Sequence, residues 1–491
     1  MDYTIIIGLE IHVQLQTESK MFSASGTEFG LPPNTQTDPV SLGLPGTLPV
    51  MNRKAFDLAL KTALALGADI ARFTKWDRKN YYYPDLPKNY QISQYDLPFS
   101  TGGWLNIPAQ KDGTGGGQCK LTRVHLEEDT GKLTHGVGGF SEIDLNRAGI
   151  PLLEIVSEPD IRNAADARAC LEELRLTLIY LGVSDCEMQE GSLRCDANVN
   201  LHIEKDGKKI ATPIVEIKNL NSFRSVERAI EYEAERQYSK WLKDGLTIKD
   251  AHKETRGWSD PDGITKLQRS KETAADYRYF PEPDLVPVVV DDAWLDRIRA
   301  TIGELPSVRR KRFEDAYGLS PYDANVLVEQ GQDVGNYFET LAKTAGDAKL
   351  ASNWIQQDVL RVLSERKLSL AEFPVKIEVL GDLLKRVHTK ALSTHQGREV
   401  LAKLIDSEDS LEQIIQAGGY GMISDRGALS QVIEEIITAN PKAMEDLRGG
   451  KKKPDAVKGF LRGQVMKATG GKADPSLVGE LLDERLAEAQ S

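Results

Sequence analysis

The sequence predicts an α+β fold, a domain built mainly on antiparallel strands followed by two all-α modules. Up to about residue 290, apolar and polar residues alternate between Gly/Pro turns. From Trp294 onward the apolar spacing is helical. The run Pro281-Glu282-Pro283-Asp284-Leu285-Val286-Pro287 separates the two patterns, because proline suits neither a helix interior nor a central strand. A second break falls in the acidic, serine-containing stretch Ser407 to Ser410. The expected domains are residues 1–292, 293–407 and 408–491, consistent with 491 residues at roughly 100 to 200 per domain.

Taken in order, the first informative element is Leu9-Glu10-Ile11-His12-Val13-Gln14-Leu15-Gln16. Its period of two turns Leu9, Ile11, Val13 and Leu15 to a core and places Glu10, His12, Gln14 and Gln16 together on the other face. A carboxylate and an imidazole two residues apart on a strand suit one divalent cation. A half-solvated sheet face gives the same pattern. A helix is expected over Asn52 to Leu66, with Asn52 as N-cap and Gly67 as stop. The segment Leu121 to Asp129 alternates less regularly and ends in Glu127-Glu128-Asp129.

A second helix is expected over Ala164 to Leu181, where Ala167, Leu171, Leu174, Leu178 and Leu181 form one stripe and Asn163 caps. Leu193 to Ile203 then alternates without fault, gathering Arg194, Asp196, Asn198, Asn200 and His202 on one face. Asp206-Gly207 reads as a hairpin turn, with a return strand Ile214 to Leu220 that puts Glu216 and Lys218 side by side. Acids, amides, Arg and Lys on one sheet face are what a metal-nucleotide site needs: Mg²⁺ takes hard oxygen ligands, and cations neutralise phosphate. A bound cation also relieves the repulsion among crowded carboxylates.

Composition narrows the class. Lys plus Arg number 62 against 74 Asp plus Glu, a net charge of −12, which excludes a general coat for nucleic acid or anionic membrane. The basic exception is residues 441–470, where Lys442, Arg448, Lys451, Lys452, Lys453, Lys458, Arg462 and Lys467 face Glu445, Asp446 and Asp455, a local +5. Cys119, Cys170, Cys186 and Cys195 form no CxxC pair or zinc-finger spacing, and a reducing cytosol is expected. No apolar run approaches the roughly 20 residues of a membrane helix, and no leader precedes the first strand, so a cytoplasmic protein is expected. There is no GxxxxGK[ST] loop and no GxSxG elbow. A nucleotide would have to be held by the sheet face.

Several long motifs then carry a resemblance. They are Gly8 to Val13, Leu44 to Val50, Arg78 to Asp96, His125 to Lys132, Asp144 to Asp160, Glu190 to Asn200, Glu216 to Glu233, Asp276 to Leu285 and Val465 to Pro475. On these the chain resembles, over essentially its whole length, the GatB family, the B subunits of the aspartyl/glutamyl-tRNA(Asn/Gln) amidotransferases. The resemblance implies a glutamine-synthetase-like catalytic domain at 1–292 and a tRNA-binding tail at 408–491. The implied reaction is ATP-dependent amidation of misacylated Asp-tRNA(Asn) and/or Glu-tRNA(Gln) through a phosphorylated side-chain carboxylate. ATP and Mg²⁺ are the implied cofactors. The implied partners are an amidase-type glutaminase and a small third polypeptide, making a heterotrimer, with ammonia passing through an internal channel.

Carried onto this sequence, the metal site falls on Glu10, His12, Glu128 and Glu216. For the third ligand the family match favours Glu128, whereas regular alternation from Arg123 and His125 favours Glu127 or Asp129; a β-bulge would reconcile them. Lys79, Tyr81, Arg147 and Arg194 are expected to contact phosphate or ammonia. Lys451, Lys452, Lys453, Lys458, Arg462 and Lys467 are expected to meet tRNA. Where many relatives carry cysteine pairs for zinc, this chain has Ser23, Ser25, Asp38 and Ser41, so no structural zinc is expected. A ligase acting on a free amino acid and a tRNA-binding protein without catalysis are the competing readings.

Overall fold

The computed structural model describes residues 3–109, 114–136, 138–270, 277–420, 426–448, 454–470 and 473–490. The chain divides into two compact units, Met1–Arg309 and Arg310–Ser491. In the first lie β1 (Tyr3–Gln14), β2 (Asp77–Asn80), β3 (Tyr90–Ser93), β4 (Gly117–Glu128), β5 (Pro151–Ser157), β6 (Leu193–Lys205), β7 (Lys208–Ala211), β8 (Val215–Lys218), β9 (Glu254–Ser259), β10 (Ile264–Ser270) and β11 (Phe280–Pro281). Its principal helices are α1 (Arg53–Ala65), α2 (Ala164–Leu181), α3 (Phe223–Asp244) and α4 (Asp292–Arg299). The second unit is helical throughout its described residues.

The main sheet runs β10-β9-β8-β6-β1-β5-β4 through its centre, antiparallel at every step except the parallel pair β8/β9. Alternation explains why β1 is central. Leu9, Ile11 and Val13 are fully buried in one core with Phe56, Ala59 and Ala63 of α1 and Ala167, Leu171, Leu174 and Leu178 of α2. The helices thus cover the apolar face, and the polar residues of β1, β4, β5 and β6 gather on the opposite one.

Both expected helices form with their caps. The Asn52 side chain accepts from the Ala55 amide, and the Asn163 side chain accepts from the Asp166 amide at 2.7 Å. Gly182 closes α2 in the left-handed region at φ 63°, where a side chain would be strained. Asp206 and Gly207, both at positive φ, join β6 to β7 in a two-residue hairpin. The return strand of that hairpin is therefore Lys208–Ala211. Val215–Lys218 is a separate strand that pairs further along β6, at Ala197 to Val199.

The first unit extends past the expected boundary at residue 292. The proline run does not end the domain, because α4 follows it and packs back: Trp294, Leu295 and Ile298 join the first core, and the Trp294 indole donates to Asp57 of α1 at 2.6 Å. No compact unit ends at residue 407 either, although residues from Leu429 to Leu486 share a core of their own.

A small sheet, β11-β2-β3, carries Lys79 and Gln91 to the polar face of the main sheet. It is strapped by Arg78, whose Nε and Nη2 donate to the two carboxylate oxygens of Glu282, each at 2.7 Å, while the Glu282 side chain is fully buried. Breaking such a buried bidentate pair leaves an uncompensated charge. Replacing Glu282 with alanine is expected to cost about 3 kcal/mol, read as a lowered denaturation midpoint. An unchanged midpoint would show that the strap does not hold this sheet.

Candidate active site

Strand register assembles the site. His12 of β1 stands opposite Glu154 of β5, which stands opposite His125 of β4, and Glu127 lies two residues along β4 on the same face. His12 Nε2 is 3.5 Å from Glu154 Oε2 and 3.7 Å from Glu127 Oε1. His125 Nε2 is 3.4 Å from the same Glu154 oxygen and 3.9 Å from Glu127 Oε2. Two imidazoles and two carboxylates therefore alternate around a ring. Glu10 stands at its edge, 3.9 Å from His12 Nε2.

The ligand atoms of Glu10, His12 and Glu154 lie within 4.8 Å of one another, as do those of His125, Glu127 and Glu154. These are donor sets for a divalent cation. Their desolvation supports the same reading: His125, Glu127 and Glu154 are all buried. Carboxylates this close repel unless a positive charge joins them.

Charges respond to this crowding. Burial and the neighbouring Glu154 carboxylate hold Glu10 above the usual carboxylate range. Burial opposes the charged form of His12, yet the hydrogen bond and charge of Glu154, with Glu127 behind, lift it to about 8. Burial also opposes ionised Glu154, and the two histidines outweigh it, holding that carboxyl well below its ordinary value. Lys79 shows the same contest: desolvation works against its charge, and Glu127 and Glu154 keep it protonated above the usual lysine range.

The ring opens into a cleft of about 390 Å³ whose lining includes Glu10, His12, Lys79, Glu127, Arg194, Asp196 and Lys218. Asn219 and Asn221 line this cleft and also a second hollow of about 460 Å³, bounded by Trp258, Ser259, Asp260, Lys266 and Gln268. Carboxylates thus sit at the cleft floor and cations around it: Arg194 donates to Asp129 at 2.7 Å, and Lys218 pairs with Asp196.

Of the residues expected from sequence, the structure brings together Glu10, His12, Lys79 and Arg194. Tyr81 lies close by, its hydroxyl pushed upward by burial and, against the pull of Lys79, by Glu127. Glu128 lies apart from the ring. β4 stays in register through His125, Glu127 and Glu128, with no bulge there, so Glu127 shares the face of His125 and Glu128 turns away. The Glu128 carboxylate is instead taken by Lys88 and by the Ile92 amide at 2.9 Å.

Glu216 lies apart from the ring, on β8, two strands from β1, where it accepts from the Thr255 hydroxyl at 2.9 Å and has Lys218 and Lys253 beside it. Arg147 also lies apart. Its guanidinium donates to the Thr130 and Gly131 carbonyls at 2.9 and 2.7 Å, so it holds the turn after β4 and does not line the cleft. The residues that sequence reasoning missed are His125, which it used only as a reference for alternation, and Glu154, in the otherwise apolar run Pro151-Leu152-Leu153-Glu154-Ile155-Val156.

In the second unit, Arg462 and Lys467 are exposed on the helix Pro454–Ala468, and Lys458 pairs with Asp483. Lys451, Lys452 and Lys453 lie outside the described residues. The serine-bearing loop is ordered by hydrogen bonds: the Ser41 amide donates to Asp38 at 2.8 Å, and the buried Lys20 donates to the Gln36 carbonyl at 2.6 Å.

Comparison with known proteins gives the family. The family described as the GatB/GatE catalytic domain matches residues 5–296, and a second, the GatB domain, matches residues 336–486. The chain is similar to the B subunit of the aspartyl/glutamyl-tRNA(Asn/Gln) amidotransferase of Rhodopirellula baltica, with 52% identity over 99% of this chain and 97% of the relative. It is 50% identical to the same protein of Moorella thermoacetica over 99% of this chain and all of the relative. The Carboxydothermus hydrogenoformans protein is 46% identical over 99% of both. A polar sheet face assembled from β1, β4, β5 and β6, the two domain matches and half-identity along the whole chain agree: this chain belongs to the GatB/GatE family.

Proposed function

We propose that this chain is the part of a glutamine-dependent amidotransferase that converts the side-chain carboxylate of misacylated Asp-tRNA(Asn), Glu-tRNA(Gln) or both to the amide, consuming ATP, in the cytoplasm. The observation that carries the reading is the ring of His12, Glu127, His125 and Glu154 with Lys79 and Arg194 above it. A carboxylate is a poor electrophile. Transfer of the γ-phosphoryl group of ATP to one of its oxygens creates an acyl phosphate, and ammonia then forms the C–N bond as phosphate leaves and one proton is released. A glutamine-synthetase-like domain follows the same logic, with the sheet face holding the nucleotide.

His12, Glu127, His125, Glu154 and Glu10 are the residues that would hold Mg²⁺, which when bound would take up charge on the transferring phosphoryl group. The chain's own groups do the rest. Lys79 is kept protonated beside Glu127 and Glu154, and it is placed to draw the substrate carboxylate and the phosphoryl oxygens together. Arg194, fixed by Asp129, adds a second cation at the cleft wall. The hollow beyond Asn219 and Asn221 supplies amide donors and the Trp258 region for the nucleoside of ATP. Arg462 and Lys467 offer phosphate contacts to tRNA.

Ammonia is supplied by an amidase-type glutaminase partner, and a small third polypeptide completes the heterotrimer. The test is amidation by this chain together with its partners, given ATP, Mg²⁺, glutamine and charged tRNA. Amide formation on free glutamate or aspartate without tRNA would overturn the reading. Zinc has no part in it, because the serines at Ser23, Ser25 and Ser41 with Asp38 are a poor donor set for that ion. Elemental analysis of purified protein is expected to find substoichiometric zinc, and one zinc per chain retained in a His12→Ala variant would refute this.

A further inference from the structure

Four tyrosines form a continuous line of rings from the buried cluster to solvent. Tyr81 and Tyr277 have ring centroids 6.0 Å apart, Tyr277 and Tyr279 6.2 Å apart, both edge to face. Tyr279 and Tyr95 are stacked at 4.1 Å with their planes 8° apart. At the inner end Lys79 Nζ lies 5.2 Å from the Tyr277 ring centroid. Burial, with Glu127 and Glu154 acting against Lys79, pushes the Tyr279 hydroxyl up to about 12, so that phenol lies in the field of the ring. At the outer end Tyr95 is 51% exposed, and Arg278 and Phe280 beside this line are exposed as well.

A flat, half-exposed ring backed by a parallel partner has one face already stacked and much of its remaining surface in water. Unpaired nucleobases bind to such platforms through their π faces. Lys79, which lies against the Tyr277 ring, lines the cleft, while the second hollow shares Asn219 and Asn221 with it. An amino acid esterified to a terminal ribose places the last base only a few bonds from the carboxylate at the ring, which puts that base at the cleft mouth.

We propose that Tyr95, backed by Tyr279, is the platform on which the unpaired terminal base of the charged tRNA stacks, setting the esterified amino acid over the cluster. This rests on charged tRNA being the substrate. The shared chemistry, a purine ring on an aromatic face, has a second source in ATP, and the measurements separate them.

In the assembled complex, Tyr95→Ala is expected to raise the KM for charged tRNA about ten-fold and leave the KM for ATP unchanged, while Tyr95→Phe behaves as wild type. Binding supplies the second arm. Removing the terminal nucleotide from uncharged tRNA should weaken its binding to the wild-type complex but make little difference to the Tyr95→Ala complex. A wild-type KM for tRNA in Tyr95→Ala, or a rise in the KM for ATP instead, overturns the proposal; so does equal weakening of both complexes by nucleotide removal. The binding arm needs no turnover, so a complex that binds tRNA in this manner yet forms no amide would count against the amidation reading alone.

Discussion

Glu154→Ala is expected to lower ATP-dependent amidation by about three orders of magnitude while the glutaminase partner hydrolyses glutamine at its wild-type rate. Glu154 makes the closer contacts to both histidines, 3.5 Å from His12 and 3.4 Å from His125, against 3.7 and 3.9 Å for Glu127. Removing it leaves two imidazoles and one carboxylate that no longer close a ring. In the proposed reaction glutamine is hydrolysed by another polypeptide, so that activity should not follow. Glu10→Ala and His12→Ala should act in the same direction. Amidation within two-fold of wild type (about 0.4 kcal/mol) in Glu154→Ala would sink the assignment of the ring to the phosphoryl-transfer step.

The adjacent acids of β4 should separate activity from stability. Glu127→Gln keeps the side-chain shape and removes one of several crowded negative charges, so folding should change by less than about 1 kcal/mol while Mg²⁺ binding and amidation are lost. Glu128→Gln should do the reverse. Its carboxylate and the Lys88 ammonium are both nearly buried, and neutralising one partner leaves the other uncompensated at a cost of about 3 kcal/mol. Denaturation midpoints and Mg²⁺ titrations on both variants decide the matter. Loss of Mg²⁺ binding in Glu128→Gln with Glu127→Gln intact would restore the family-based assignment of the ligand.

These variants also mark where sequence reasoning reached and where it stopped. Glu10 and His12 were legible because β1 alternates without interruption, and α2 was legible because Asn163, its apolar stripe and Gly182 agree. Glu154 left a different signal. A lone carboxylate inside an apolar strand cannot be buried without a partner, and that demand was visible in the residues around it, though the identity of the partner was not. Glu216 stands apart from the ring for a topological reason. Its face was read correctly, but which strands are neighbours depends on the sheet order, and two-residue periodicity is silent on that order. For Glu128, alternation and motif pointed different ways, and the unbroken register of β4 decided for alternation.

The ring draws its members from residues 12, 125, 127 and 154, on three neighbouring strands, and a slip of β5 by a single position would exchange Glu154 for Leu153 or Ile155. Such a slip would also drive a carboxylate into the helix-covered side of the sheet. If Mg²⁺ binds at the ring as proposed, its occupancy is an all-or-none gauge of whether this domain has paired its strands correctly: a misthreaded chain would be blind to Mg²⁺, and the cation would favour the one alignment that builds the ring.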